Sequence, residues 1–222
     1  MKLELVKTQD GSHTFFVPGL NEHYHSINGA IQESRHIFID KGFNAITLQR
    51  PEMSILEVGF GTGLNALLTL KENENRHIKI RYVAVEPEPV GDEYLKLLNY
   101  PGLVGSCDER VMFFKIHTTP WDFPYHLNEE FILFKIQEKI QDLTLGEEKY
   151  NLVYYDAFSP EVQPEMWNEA VFQKIYHAMM PGGKLLTYCA KGEVKRTLKK
   201  CGFRVEPLVG PPGKREITAA VK

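Results

Sequence analysis

No stretch of the chain runs apolar for the about 18 positions that a membrane-spanning helix needs, and no apolar core of about 7 residues precedes a small-residue cleavage site near the N-terminus. Such a chain is expected to be soluble, to remain in the cytoplasm and to meet no membrane. Cysteine is scarce. Cys107, Cys189 and Cys201 are an odd number without C-x-x-C spacing, which leaves a disulfide framework or a structural zinc site without support, so they read as buried or surface thiols. There is no internal repeat and no linker rich in Gly, Ser or Pro, so one domain over residues 1–222 is expected: 1–50 as a hairpin and helix extension, 51–222 as the core. With 43% hydrophobic and 25% charged residues, the composition is neither that of a disordered chain nor that of a fibre.

Acidic residues are few toward the C-terminus. From Lys191 onward nine Lys/Arg face three Glu, a balance of +6, which leaves −9 for residues 1–190 out of a total of −3. A basic stretch of this kind either holds phosphates or forms the solvated face of an amphipathic helix, and Lys195, Arg196, Lys199 and Lys200 suit both readings.

The elements alternate. A hairpin-like region (2–17) and a helix around 30–43 precede strand 54–58, helix 64–72, strand 80–85 and a helix over about 89–98. "RVMFFKIHTT" and "EFILFKIQEKI" are β-rich and read as two strands joined by "PWDFPYHLNEE". Strand 151–155, helix 165–179, a PGG turn at 181–183, strand 184–189, helix 193–200 and strands 203–208 and 216–221 complete the chain. Strands alternating with helices imply parallel pairing and a doubly wound α/β sheet. The last two strands, joined only by "VGPPGKR", are too close for a crossover and should be antiparallel.

"ILEVGFGTGLN" places Gly59, Gly61 and Gly63 between an apolar strand and a helix signal. In an open α/β sheet the ligand lies beyond the strands' C-terminal ends, where the first turn passes close beneath it and side chains would collide. A dinucleotide fingerprint would need glycine where Leu64 stands, and no Gly-Lys-Ser/Thr follows for a Walker loop. Glu86 ends the second strand, roughly 20 residues on, where a carboxylate clamps a ribose diol or caps the next helix. Glu57, ending the first strand, reaches an ammonium group, braces the loop or is an ordinary strand-end charge. In "YNLVYYDAFSPEVQPEMW" a third strand delivers Asp156 to the same edge, and Ser159, Pro160 and Pro164 hold the next loop out of helix. An alkylammonium loses its proton only near pH 10, so an amine nucleophile needs help. Asp156 either relays that proton or only orients the amine; its structural alternative is a cap or loop brace.

"EVGFGTGLNALLTL", "DAFSPEVQPEMWNEAVF", "MPGGKLLTYCAKGEVKRTLKKCGF", "GPPGKREITAA" and "YHSINGAIQESRHIFI" together resemble the methyltransferase domain of the bacterial bifunctional proteins that finish 5-methylaminomethyl-2-thiouridine at the tRNA wobble position. The resemblance covers nearly all of the chain from Tyr24 onward. It implies a class I, Rossmann-like fold with a mostly parallel seven-stranded sheet, S-adenosylmethionine as cofactor, and methylation of the primary amine of 5-aminomethyl-2-thiouridine in tRNA. It also implies a stand-alone form, without the flavin-dependent oxidoreductase domain of the bifunctional relatives, acting after a separate enzyme that installs the aminomethyl group. Carried over, Asp156 is catalytic, and Glu57, Gly59, Phe60, Gly61, Gly63, Leu64, Asn65 and Glu86 bind cofactor. Where relatives place "GD" before the segment equivalent to "IQDL", the chain has Glu138-Lys139, so Asp142 is chosen for the adenine amino group with Glu138 in reserve.

With the tRNA anticodon region as partner, Lys191, Lys195, Arg196, Lys199, Lys214 and Arg215 become phosphate contacts. Tyr24, Phe158, Trp167 or Phe60 would stack on an unpaired base unless they belong to the core. His23 and His25 lack a Cys or Glu spaced for a metal and read as surface histidines. Two other classes stay open: a transferase acting on small amines, including the aminopropyltransferases of polyamine synthesis, and a nonenzymatic RNA- or nucleoside-binding domain.

Overall fold

The apolar run "EMSILEV" becomes a central strand, β4 (Glu52–Val58), buried along most of its length, and everything functional is placed relative to it. The computed structural model describes residues 2–48, 50–105 and 107–222, excepting the side chains of Cys107 and Asp108, so the thiol of Cys107 lies outside the described residues. Ahead of β4, strands β1 (Glu4–Lys7), β2 (His13–Val17) and β3 (Glu22–His23) form a small antiparallel sheet. A short helix, α1 (Ala30–Ser34), runs on as a π-helical segment, Arg35–Asp40.

The chain then alternates through α2 (Leu64–Arg76), β5 (Lys79–Val85), two short helices α3 (Asp92–Leu95) and α4 (Tyr100–Val104), and α5 (Cys107–Thr118). Strands β6 (Tyr125–His126), β7 (Phe131–Ile136) and β8 (Tyr150–Tyr155) follow, then α6 (Glu169–Ala178), β9 (Met179–Thr187), α7 (Gly192–Lys200), β10 (Arg204–Val209) and β11 (Glu216–Val221). The main sheet has the order β10-β11-β9-β8-β4-β5-β7-β6. β9, β8, β4, β5 and β7 pair in parallel, whereas β11 against β9, β10 against β11 and β6 against β7 are antiparallel.

Three expectations are corrected here. The sheet is mixed and has eight strands rather than seven, because the two-residue β6 folds back on the edge strand β7. "RVMFFKIHTT" is not a strand but most of α5. Its aromatic and β-branched residues favour extended chain, yet Glu109, Phe113 and Ile116, all buried, recur at helical spacing and pack one face inward. Tertiary burial decided against local propensity. The expected PGG turn lies within β9, where Tyr150 pairs with Met179 and Leu152 already with Lys184, so the intervening residues bulge out.

Buried residues gather in two clusters, one holding Phe15, Phe38, Leu67, Tyr82 and Phe113 and the other Val58, Tyr155, Trp167, Phe172 and Leu198. The small sheet contributes Phe15 and Val17 to the first cluster. From β4 the chain proceeds outward to β5 and β7, then returns to β8 on the other side. The switch point therefore falls between β4 and β8, and a crevice opens at their C-terminal ends.

Candidate functional site

Gly59 follows β4 and Asp156 follows β8, and the two strand ends are tied by Asp156 N donating to Val58 O at 2.9 Å. Gly59, Gly61 and Gly63 all have positive φ, 91°, 49° and 69°. A Cβ on Gly59 would lie 2.5 Å from Asp156 O, and one on Gly61 3.1 Å from Tyr24 Cδ1. The bare backbone is thus required on both sides of the turn.

A cavity of about 820 Å³ lies over this turn. Gly59, Phe60, Gly61, Leu64, Asn65 and Glu86 form one wall, and Asp142 stands exposed at its rim. Glu86 accepts hydrogen bonds from Gly61 N (3.1 Å) and Glu88 N (3.0 Å). Burial raises its pKa, opposed by those two amides. Tyr24, which faces Gly61, and Phe158 continue the lining, and His25, Glu33, Tyr188 and Lys214 make up the far end, whose Glu33 and Lys214 both act on Asp156. Tyr24 and Phe158 meet edge to face, 5.1 Å between centroids, and Tyr188 OH donates to Ala157 O at 2.9 Å.

Behind the wall runs a buried polar chain. Tyr82 OH donates to Glu57 Oε2, and Asn65 Nδ2 donates both to Glu57 Oε1 and to Asp156 Oδ2, each at 2.9 Å. One amide bridges two carboxylates. Burial drives the pKa of Glu57 well above the usual range, against the two hydrogen bonds it accepts. Burial also pushes Asp156 up to about 7; the Asn65 hydrogen bond and Lys214 oppose this while Glu33 adds to it. A carboxyl poised near neutrality can exchange a proton with a bound group at working pH.

Several expected residues stand elsewhere. Glu57 is fully buried and off the cavity wall, so it braces Asn65 instead of meeting a ligand's ammonium. Gly63 lies below the wall at the start of α2, and Glu138 is exposed away from it. Trp167 is 5% exposed inside the second core cluster, and its Nε1 donates to Phe158 O at 2.8 Å. It props the loop that carries Phe158 rather than offering a face for stacking. His25, read as a surface residue, is buried, accordingly with its pKa lowered to about 4, whereas His23 is half-buried on the cavity wall.

The basic stretch is largely paired. Lys191 contacts Glu161, Lys195 contacts Glu216, and Lys214 Nζ lies 2.6 Å from Glu33 Oε1. Arg196, Lys199 and Arg215 are exposed, and among the described residues none of the three makes an ion pair. Sequence reasoning missed Glu33 and Tyr188 as cavity residues. Tyr188 directly follows β9, a parallel strand ending at the same sheet edge as β4 and β8, and that rule could have found it. Glu33 carries no such signal, since α1 reaches the cavity only through tertiary packing.

Residues 117–222 match a family described as S-adenosyl-L-methionine-dependent methyltransferase. The chain is 30% identical over 205 residues to the tRNA 5-methylaminomethyl-2-thiouridine biosynthesis bifunctional protein MnmC of Aromatoleum aromaticum, covering 87% of this chain and 32% of that one. The namesake from Cupriavidus metallidurans is 29% identical, covering 98% and 33%. The chain thus spans about a third of the length of these relatives, the part that resembles their methyltransferase domain. A crystal structure of MNMC2 from Aquifex aeolicus superposes with a TM-score of 0.80 at 25% identity, covering 99% of this chain and 69% of that one. Spermidine synthase from Thermotoga maritima, at 10% identity and a TM-score of 0.54 over 100% of this chain and 71% of that one, shares the fold alone.

Proposed function

We propose that this S-adenosyl-L-methionine-dependent methyltransferase methylates the primary amine of 5-aminomethyl-2-thiouridine at the wobble position of tRNA, giving the 5-methylaminomethyl nucleoside. The relatives' names carry the nucleoside whose biosynthesis they serve, 5-methylaminomethyl-2-thiouridine in tRNA, and one observation of the site supports the reading: Asp156, a carboxyl raised to about 7, is held by Asn65 at the junction between the glycine wall and an aromatic, acid-bearing far end.

The cavity suits the cofactor. Its volume is that of a small-molecule site, its floor is backbone that tolerates no Cβ, and Glu86 presents a carboxylate already fixed by two amides. When bound, S-adenosylmethionine supplies a methyl carbon made electrophilic by its sulfonium. In this reading Gly59, Gly61, Leu64 and Asn65 line its path, Glu86 holds the ribose hydroxyls and Asp142 the adenine amino group. Phe60, turned onto Trp121 and His117, and Gly63, starting α2, set the shape of the loop. Asp156 accepts a hydrogen bond from the incoming amine and takes its surplus proton, which frees the nitrogen lone pair. Tyr24 and Phe158 border the acceptor's entry and can stack on the extruded base. Arg196, Lys199 and Arg215 are free to meet phosphates, while Lys191 and Lys195 would exchange Glu161 and Glu216 for them. The aminomethyl group has to be installed beforehand by a separate activity.

The test uses labelled S-adenosylmethionine and total tRNA from a strain lacking this methylation, followed by digestion and identification of the nucleoside. Label in 5-methylaminomethyl-2-thiouridine is expected, lost in Asp156→Ala with cofactor binding retained. Label that resists ribonuclease, or full activity in that variant, would overturn the reading.

A further inference from the structure

Lys214 is one cation with two outlets. Its side chain borders the far end of the main cavity and also a second, open groove with Tyr188, Ala190, Arg215 and Glu216. It is held on the cavity side, with Nζ 2.6 Å from Glu33 Oε1 and 4.3 Å from the centroid of the Tyr188 ring. Glu33 is 9% exposed, borders the same cavity and accepts a second contact from Ser26 N at 2.9 Å. Three acids line the cavity around Tyr188: Asp156, Glu33 and Glu22. Glu22 already accepts from Ser159 Oγ at 2.7 Å, and Glu33 is occupied by an internal ammonium. An acceptor ammonium is the chemical equivalent of the lysine head and competes with it for the same oxygen.

We propose that the Glu33–Lys214 pair is a latch that makes methylation conditional on an RNA backbone, with Glu33 as a positioning residue for the acceptor amine. A phosphate entering the outer groove beside Arg215 draws Lys214 away from Glu33. The released carboxylate then holds one N–H of the amine while Asp156 holds another. A free amine or nucleoside brings no phosphate and has to displace Lys214 unaided, so it is discriminated against. Charge is conserved in the exchange: Lys214 passes from a carboxylate to a phosphate, and Glu33 from an internal to an external ammonium. The latch rests on the amine acceptor proposed above, and its test separates the two.

The full chain is assayed with an anticodon stem-loop RNA bearing 5-aminomethyluridine and with the free nucleoside. Wild type should prefer the stem-loop in kcat/KM. Lys214→Met should lower the stem-loop value by about tenfold and the nucleoside value by clearly less, so that the preference shrinks. Glu33→Gln, which keeps an oxygen for Ser26 N, should raise KM for both amines more than it lowers kcat. Equal losses on both acceptors in Lys214→Met would overturn the latch. The double variant removes both charges together, so recovery of melting temperature without recovery of the acceptor preference separates a folding defect from the latch. Binding of an unmodified stem-loop gives a readout independent of catalysis. It should tighten in Glu33→Gln and weaken in Lys214→Met, with the slope of log affinity against log salt smaller by about one in the latter. Unchanged binding in both variants would also overturn the proposal. If wild type methylates neither acceptor, the function proposed above falls, and the binding data alone decide the latch.

Discussion

Replacing Asp156 by Asn should make the protein more stable at alkaline pH while removing its chemistry. The carboxyl titrates at 3.8 in the unfolded chain and at about 7 in the fold, a separation of about three units, each worth about 1.4 kcal/mol. The upper bound is thus about 4 kcal/mol, and because Asp156 is only partly buried, solvent screening reduces the effect to about 2 kcal/mol. The sign follows from proton binding. Between pH 3.8 and about 7 the folded state holds a proton that the unfolded state has released. Stability therefore falls as pH rises through this window and stays low above it. Asn carries no charge and its carbonyl still accepts from Asn65, so the variant escapes this loss. Urea unfolding of both proteins at roughly pH 4, 5.5, 7 and 8 reads the difference directly. The variant's advantage should grow by about 2 kcal/mol across the series, while methyl transfer falls by about 10²–10⁴. A stability difference that does not change with pH would refute the reasoning, since it would place the charge of Asp156 in good solvent.

Three further outcomes are expected. Gly59→Ala, at φ 91° with Asp156 O 2.5 Å from the new Cβ, should cost about 1–3 kcal/mol of stability and abolish cofactor binding in calorimetry; retained affinity would mean that the β4 and β8 ends part freely. Glu86→Ala removes a carboxylate that orders Gly61 and Glu88 and should weaken S-adenosylhomocysteine by about 10- to 100-fold, measured by calorimetry, with little change in melting temperature. Trp167→Ala should destabilise by about 3–5 kcal/mol in urea unfolding, because the indole packs in the core; a loss below about 1 kcal/mol would restore it to the surface.

The sequence by itself determined the elements whose local chemistry admits one answer. The alternation of apolar strands with helices, the glycines of the β4–α2 turn and the acids at strand ends follow from backbone sterics and from the rule that an open sheet binds at its carboxyl edge. The antiparallel β10–β11 pair followed from a connection too short for a crossover. The tertiary structure decided the rest, wherever a residue's role depends on what packs against it. It made α5 helical through burial of Glu109, Phe113 and Ile116, and it added β6 at the sheet edge. It withdrew Glu57 and Trp167 from the cavity into hydrogen bonds with Asn65 and the Phe158 carbonyl. It brought Glu33 and Lys214, 181 positions apart in the numbering, within 2.6 Å of each other. Propensity and spacing act over a few residues along the chain; burial and charge pairing act across it, so only the folded packing assigns the last of these partners.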